Sequence, residues 1–306
     1  MRGSDRYVER TLQLVAFSSL AALVAITSFI FKEGAPFVFR VGLDNFFSGD
    51  WHPTAHRYGI GYMIVGSAVV TGGALLLGVP LGIACAVVLG EMCNASLRGL
   101  LKPLVEILAA IPSVVFGFIG IALLLPWIRE HLGGPGASAL AGALVLGVMI
   151  LPTIIAISLD ALRAVPRSYR DASLAIGATE WQTIWRVVLP AARSGIVAAV
   201  ILGVGRAVGE TMAVVMVTGN AVQLPHSALA PLRTLTANLA LEMAYSTGEH
   251  RSALFATGVV LFVVIVVLNA LAGLARRGAG ASHRKKAPRV AALTATHRET
   301  EGATPR

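Results

Sequence analysis

Val165–Pro190, VPRSYRDASLAIGATEWQTIWRVVLP, is a polar, amphipathic stretch in a chain otherwise made mostly of long apolar runs. It reads as two short helices with a turn between them. Pro166 suits a first helical turn, where its missing N–H is no loss. Leu162, Val165, Tyr169, Ala172 and Ile176 recur at three- and four-residue spacing and predict one apolar face. Gly177 fits a left-handed stop at a helix C-terminus. Thr179 and Gln182 have the spacing of a capping box, which opens a second helix. Trp181, Ile184, Trp185 and Val188 line one face of that helix, and Pro190 blocks its simple continuation. Shape alone fits a plain amphipathic linker between membrane spans as well as a functional element.

Composition places the chain in a membrane. Hydrophobic residues make up 56%, charged residues 13%, and the mean hydropathy is +0.75. An ordinary soluble domain is about one quarter charged. Stretches of about 20 apolar residues are long enough to cross a bilayer, and six qualify: 11–31, 62–90, 103–127, 138–159, 191–218 and 252–275. Each helix satisfies its own backbone in lipid, so the expected class is an all-α integral membrane bundle of six transmembrane helices. Arg2, Arg6 and Arg10 before the first run resemble the start of a signal peptide. The run is too long and lacks a small-residue cleavage site, so it reads as a retained span.

The cations predict orientation. Arg2, Arg6, Arg10, Arg98, Lys102, the arginines around 163–193 and the tail after Arg276 share one side. Lys32, Arg40, Arg57, Arg129, Arg233 and Arg251 fall on the other. The majority side is cytoplasmic by the positive-inside rule, giving cytoplasmic N- and C-termini. The net charge of +9 therefore reflects topology and does not argue for nucleic acid. Cys85 and Cys93 have no metal-ligand spacing, and the seven His are scattered, so no metal site is expected. Neither a Walker-type phosphate loop, a dinucleotide fingerprint nor a local nucleophile set occurs, so no cofactor and no enzyme activity are expected in this chain.

Three regions follow. Residues 1–61 comprise a cytoplasmic start, the first span and an outer loop from about Lys32 with Trp51 and Pro53. Residues 62–275 form the core, with the stretch 165–190 inside it. Residues 276–306 read as a basic, disordered tail. In the core, span two is rich in glycine, which permits close helix approach, and carries Pro80 as a kink candidate. Glu106 opens span three and reads as an interfacial carboxylate facing water or Lys102, or as a contact inside the bundle. Pro112 predicts a kink. Gly205–Asn220, GRAVGETMAVVMVTGN, ends span five. Gly195, Ala199, Gly203 and Ala207 make a small-residue stripe, and Arg206 and Glu210 lie four apart beside it. A charge at mid-bilayer costs about 2.5–3.5 kcal/mol on insertion scales, so such residues mark function or an internal pair. An arginine fork suits phosphate-like oxyanions. Arg233, in the long outer segment 219–251, is a weaker candidate for the same path.

Asp171, Ala172, Ser173, Gly177, Val187, Leu189 and Pro190 reproduce the EAA-xxx-G-x9-I-x-LP signature, with intact spacing and Asp, Ser and Val substituted at three places. On these residues the chain resembles the permeases of ATP-binding-cassette importers. The resemblance implies a type I (MetI-like) bundle, in which 165–190 is a cytoplasmic coupling helix docking on a separate ATPase. Glu106–Gly117, EILAAIPSVVFG, and GRAVGETMAV from Gly205 are similar to the phosphate-importer permeases. The extra first span, the Trp51/Pro53 loop and Gly219-Asn220 match the PstC type better than the PstA type. That resemblance implies a PstA-like partner permease, PstB-like ATPase subunits using ATP and magnesium, a PstS-like external phosphate-binding protein, and a place in the bacterial cytoplasmic membrane. It puts Arg206 and Glu210, with Glu106 and Arg233 as lesser candidates, on the substrate path. Two other roles fit the same features: an importer of another substrate such as sulfate, molybdate or a polyamine, and a membrane scaffold or sensor.

Overall fold

The computed structural model describes residues 3–284. Helix α1 (Gly3–Val41) is followed by a short helix α2 (Leu43–Phe46) and a small hairpin, β1 (Trp51–His52) and β2 (Arg57–Tyr58). Helix α3 (Gly61–Val87) ends in a wide turn with π geometry, Val88–Met92. Next come α4 (Ala95–Ala110), α5 (Ser113–Ile119), a second wide turn (Gly120–Leu124) and α6 (Leu125–His131). Helix α7 (Ala139–Arg163) is followed by α8 (Arg167–Ala175), α9 (Glu180–Thr183), a third wide turn (Ile184–Val188) and α10 (Leu189–Gly209). The chain closes with α11 (Met212–Val217), α12 (Leu235–Glu242) and α13 (Gly248–Arg284).

Six of these helical stretches, among the described residues, are long and apolar enough to cross a membrane: Glu9–Val41, Gly61–Met92, Ser113–His131, Ala139–Arg163, Glu180–Gly209 and Gly248–Leu271. The all-α, six-span class is therefore as expected, and the boundaries move for identifiable reasons. The first helix passes Lys32 and Pro36 to reach Val41. Its far end is held by packing: a Cβ at Gly34 would lie 2.6 Å from the backbone of Phe255, and Phe37 is buried among Phe46 and Tyr58. The third span does not begin at 103. Ile111, preceding a proline, is extended (φ −65°, ψ 127°), so Pro112 separates the amphipathic α4 from α5.

The fifth span shifts most. It starts at Glu180, because the helix runs straight through Pro190. The wide turn at 184–188 absorbs the missing donor that was expected to stop it. The span ends at Gly209, and not at 218, because Glu210 is extended (φ −67°, ψ 131°). Past 276, α13 continues to Arg284, so the helix reaches into the stretch expected to be disordered; the sequence meets no proline before Pro288. The remaining tail, 285–306, lies outside the described residues.

Helix α7 is the most buried span and packs between α3 and α10. Both contacts use glycine for close approach. A Cβ at Gly78 would stand 2.7 Å from Ile150, and one at Gly82 2.7 Å from Ile154. On α10 the stripe works as expected: Ala199 and Ala207 are buried, Gly203 faces Ile154, and a Cβ on Gly195 would collide with Ala161. Helices α1 and α13 pair at one flank through edge-to-face contacts of Phe29 with Phe255 and Phe31 with Phe262. Gly195→Val is expected to destabilise the bundle by about 1–3 kcal/mol through overpacking. A lowered melting temperature in detergent, set against Ser194→Val on the exposed side of the same helix, checks this.

Candidate functional site

The two ends of the bundle carry different chemistry. At one end, the base, α3, α7 and α10 meet the stretch 165–190. Pro166 caps α8 as the residue just before it. Gly177 adopts φ +89°; it donates to Leu174 O (2.9 Å), and Ala178 donates to Ser173 O (3.2 Å), the paired bonds of a left-handed helix stop. Thr179 and Gln182 form the capping box that their spacing predicts. The expected apolar face of α8 divides. Leu162 and Val165 are buried, whereas Tyr169 and Ala172 are exposed and Ile176 is 87% exposed. Nor is the second face continuous. Ile184 and Val188 are buried, while Trp181 and Trp185 stand outside as an edge-to-face pair 5.9 Å apart. The wide turn changes the angular spacing, so residues that would share a stripe in a plain α-helix separate.

The signature residues divide in the same manner. Ser173 is buried, its hydroxyl 2.9 Å from that of Thr183, which ties α8 to α9. Asp171, Ala172, Gly177 and Pro190 are exposed, and Val187 and Leu189 are half-buried. Two arginines that entered the sequence reading only as topological charges hold this end together. Arg170 donates to both carboxylate oxygens of Glu91 (2.9 and 2.6 Å) and to Val165 O and Leu162 O (2.8 and 3.1 Å). It joins the end of α3, the end of α7 and the start of α8. Bonding to Glu91 raises the Arg170 pKa above the ordinary value. Arg98 donates to Leu89 O, Gly90 O and Cys93 O (2.6, 2.8 and 2.9 Å), answering carbonyls left open where α3 ends. Beside these clamps lies an open cleft of about 670 Å³, lined by Glu91, Arg170, Leu174, Trp181 and Ile184.

At the other end, α10 finishes in GRAVGET. Arg206 lies in its last turn, half-buried. No ion pair joins it to Glu210 among the described residues, and α10 ends where Glu210 turns to ψ 131°. That carboxylate instead accepts the N–H of Ala213 (3.2 Å) at the start of α11. No hydrogen bond or ion pair of Arg206 occurs among the described residues. Glu210 borders a cavity of about 10 Å³ shared with Ser67, Thr71 and Thr234, room for one water molecule. Gly205 and Gly209 flank Arg206 on the exposed side of α10, with open space beyond their Cα atoms.

The lesser candidates sit elsewhere. Glu106 is 3.7 Å from Lys102 on exposed α4, the interfacial arrangement. Arg233 is held in a buried network: it pairs with Glu242 and donates to Asn238 Oδ1 (3.0 Å) and Asn220 O (2.9 Å). Glu242 also accepts the Trp51 indole N–H (3.0 Å) and contacts His250 (2.8 Å). This cap seats the hairpin on α12 and α13. At its exposed rim Asp50 binds Arg57 and His52, and those hydrogen bonds lower its pKa.

A transmembrane bundle with an intact signature loop at one end defines the permease class. The model of the family of inner membrane components of binding-protein-dependent transport systems matches residues 78–279, and the chain belongs to that family. The probable ABC transporter permease YqgH of Bacillus subtilis is 42% identical over 257 residues, 81% of this chain and 83% of that one. The phosphate transport system permease PstC of Pasteurella multocida is 32% identical over 289 residues, 88% of this chain and 89% of that one. Among solved structures, a bacterial alginate ABC transporter in complex with its alginate-bound periplasmic protein aligns at TM-score 0.61 and 16% identity, covering 90% of this chain and 97% of that one. The inward-facing MetNI methionine transporter aligns at 0.56 and 21%, covering 75% and 99%. These likenesses show a MetI-like importer fold.

Arg170→Ala leaves Glu91, with its side chain 10% exposed, as a nearly buried charge without its partner. Such a loss costs about 3–5 kcal/mol. Faster proteolysis of the 165–190 loop in membranes, with spans still protected, is the expected readout; an unchanged cleavage rate removes Arg170 from the role of clamp.

Proposed function

We propose that the chain is the transmembrane permease subunit of an ATP-driven importer of inorganic phosphate. It works with a PstA-like permease, PstB-like ATPase subunits and a PstS-like binding protein, and ATP is hydrolysed in the separate subunit. The observation that carries the reading is Arg206, a half-buried guanidinium in an apolar span that forms no hydrogen bond or ion pair among the described residues. A charge so placed is costly unless it meets a partner at some stage of the working cycle. The length and identity of the match to PstC proteins supply the substrate class.

In this reading the base faces the cytoplasm and both termini lie there. The exposed Tyr169, Ala172 and Ile176, with Asp171 beside them, enter a cleft of the ATPase. Closure of the ATPase pushes on α8 and α9. Ser173 and Arg170 pass the push to α9 and α3 through the bonds described above. The open side of α10 around Gly205 and Gly209 meets the second permease, and the path runs between them. A dehydrating phosphate passing there meets Arg206, whose planar donors match its oxygens. A path site must also release its ion. Glu210, one helical break away, supplies negative charge that limits retention.

Uptake of radiolabelled phosphate into proteoliposomes carrying the full complex tests the reading, with sulfate and molybdate as competitors. Arg206→Gln should abolish uptake while the complex assembles and hydrolyses ATP; normal uptake takes Arg206 off the path. Asp171→Lys should leave ATP hydrolysis running but disconnected from transport. Tight coupling in that variant would falsify the docking role of the exposed face of α8.

A further inference from the structure

The segment between α11 and α13 is a strap that touches both the cap and the break in span five. Leu232 donates its N–H to Thr218 O (3.0 Å), and Arg233 reaches Asn220 O. Leu235 donates its N–H to Ser67 Oγ on α3 (2.9 Å). Thr236 donates its hydroxyl to the backbone carbonyl of Glu210 (2.9 Å), the residue at which α10 ends. At the far end of the same eight-residue helix, α12, Glu242 receives Trp51, Arg233 and His250. The hairpin and the span-five break are thus bonded to opposite ends of one short rigid element.

Three features single out the Thr236 contact. Thr236 is buried; the α12 cap is made by Thr234 Oγ1, which accepts the Ala237 N–H (3.2 Å), and the Thr236 hydroxyl lies 3.2 Å from that capping hydroxyl while its own proton goes to Glu210 O. The Glu210 carbonyl lies outside the helical ladder, and a carbonyl left open in apolar surroundings is costly. The backbone there leaves the helical conformation. Gly209 has open space around it, Glu210 is extended, and Thr211 sits at φ −121°, ψ −59°. Such a junction absorbs dihedral change when a domain switches state.

We propose that Thr236 is a positioning residue for transport. Its hydroxyl fixes the break relative to the cap, so that docking of a solute-loaded binding protein on the cap moves α12 and thereby the turn that carries Arg206. The inference rests on the importer reading and is indifferent to which oxyanion is carried.

The test uses the complete reconstituted complex and compares ATP hydrolysis with and without phosphate-loaded binding protein. Thr236→Val keeps shape and loses the donor to Glu210 O together with the contact to Thr234 Oγ1, and Thr234→Val, which removes that second contact but keeps the donor to Glu210 O, is the control. Loss of one such bond corresponds to about a three- to ten-fold effect. The stimulated-to-basal ratio and phosphate uptake are expected to fall by that factor. Basal hydrolysis and assembly are expected to stay at wild-type values and the melting temperature to fall only by the cost of one open carbonyl, with Thr236→Ser restoring the ratio. A purely structural role lowers assembly or melting temperature and leaves the ratio unchanged. An unaltered ratio in Thr236→Val, or a loss in Thr236→Ser as large as in Thr236→Val, overturns the proposal. If Thr236→Val does not assemble, Thr236→Ala is read in the same way, and failure of both to assemble assigns Thr236 to folding and also overturns it. A wild-type complex that ignores phosphate-loaded binding protein but responds to sulfate- or molybdate-loaded protein defeats the phosphate reading alone, and the Thr236 ratio is then read with that solute.

Discussion

A backbone group inside an apolar bundle has no water to turn to, so each place where a helix stops or widens must be answered by another part of the chain. This constraint organises the molecule. Where α3 ends, the guanidinium of Arg98 collects three carbonyls. Where α7 ends, Arg170 collects the carbonyls of Leu162 and Val165 while binding Glu91. Where α10 ends, Thr236 takes the Glu210 carbonyl, and the Glu210 carboxylate answers Ala213. At each of these interruptions a polar side chain from elsewhere in the chain supplies the missing partner.

Between the interruptions the bundle is held by shape. Helix α7 accepts α3 and α10 at distances that only small residues allow, with Gly78, Gly82, Gly195 and Gly203 at the contacts. Van der Waals packing drives helix association in lipid, so removal of side chains at these points strengthens contact. Lipid-facing helices such as α1 keep large exposed apolar residues, for example Leu14, Phe17 and Leu23. The cap follows soluble-protein rules, with an aromatic cluster of Phe37, Phe46, Trp51 and Tyr58 around a buried carboxylate.

The sequence disclosed whatever depends on local spacing. The capping box at Thr179 and Gln182, the left-handed Gly177, the stripe from Gly195 to Ala207 and the six apolar runs are all set by residues within one or two turns of each other. Long-range answers were hidden. Nothing near Arg98 or Arg170 shows that their targets are carbonyls and a carboxylate at the ends of other helices. Four-residue spacing made Arg206 and Glu210 candidates for an internal pair or a path site; the turn at Glu210 that sends its carboxylate to Ala213 is not visible in that spacing. Pro190 misled in the opposite direction, since a wide turn before it lets the helix continue. Arg233 stood in the sequence as a lesser candidate for the path, and its partner Glu242 comes to it only through tertiary packing.

The wide turn at 184–188 has a geometric consequence. Glu180 to Gly209 is one continuous 30-residue helix, a shaft of about 45 Å joining the signature loop to Arg206. A shaft transmits torque as well as thrust, so the compass bearing of Arg206 is fixed by the residue count below it. Each residue of an α-helix advances about 100°. The widened turn holds one residue more than a plain α-turn at the same height, so it takes up that residue without turning what lies above it. Excising a residue at 184–188 would close it to a plain α-turn and keep the bearing, whereas excising one from the regular helix at 191–205 would leave hydropathy almost untouched yet swing the guanidinium about a quarter of the way round its axis, toward a different neighbour.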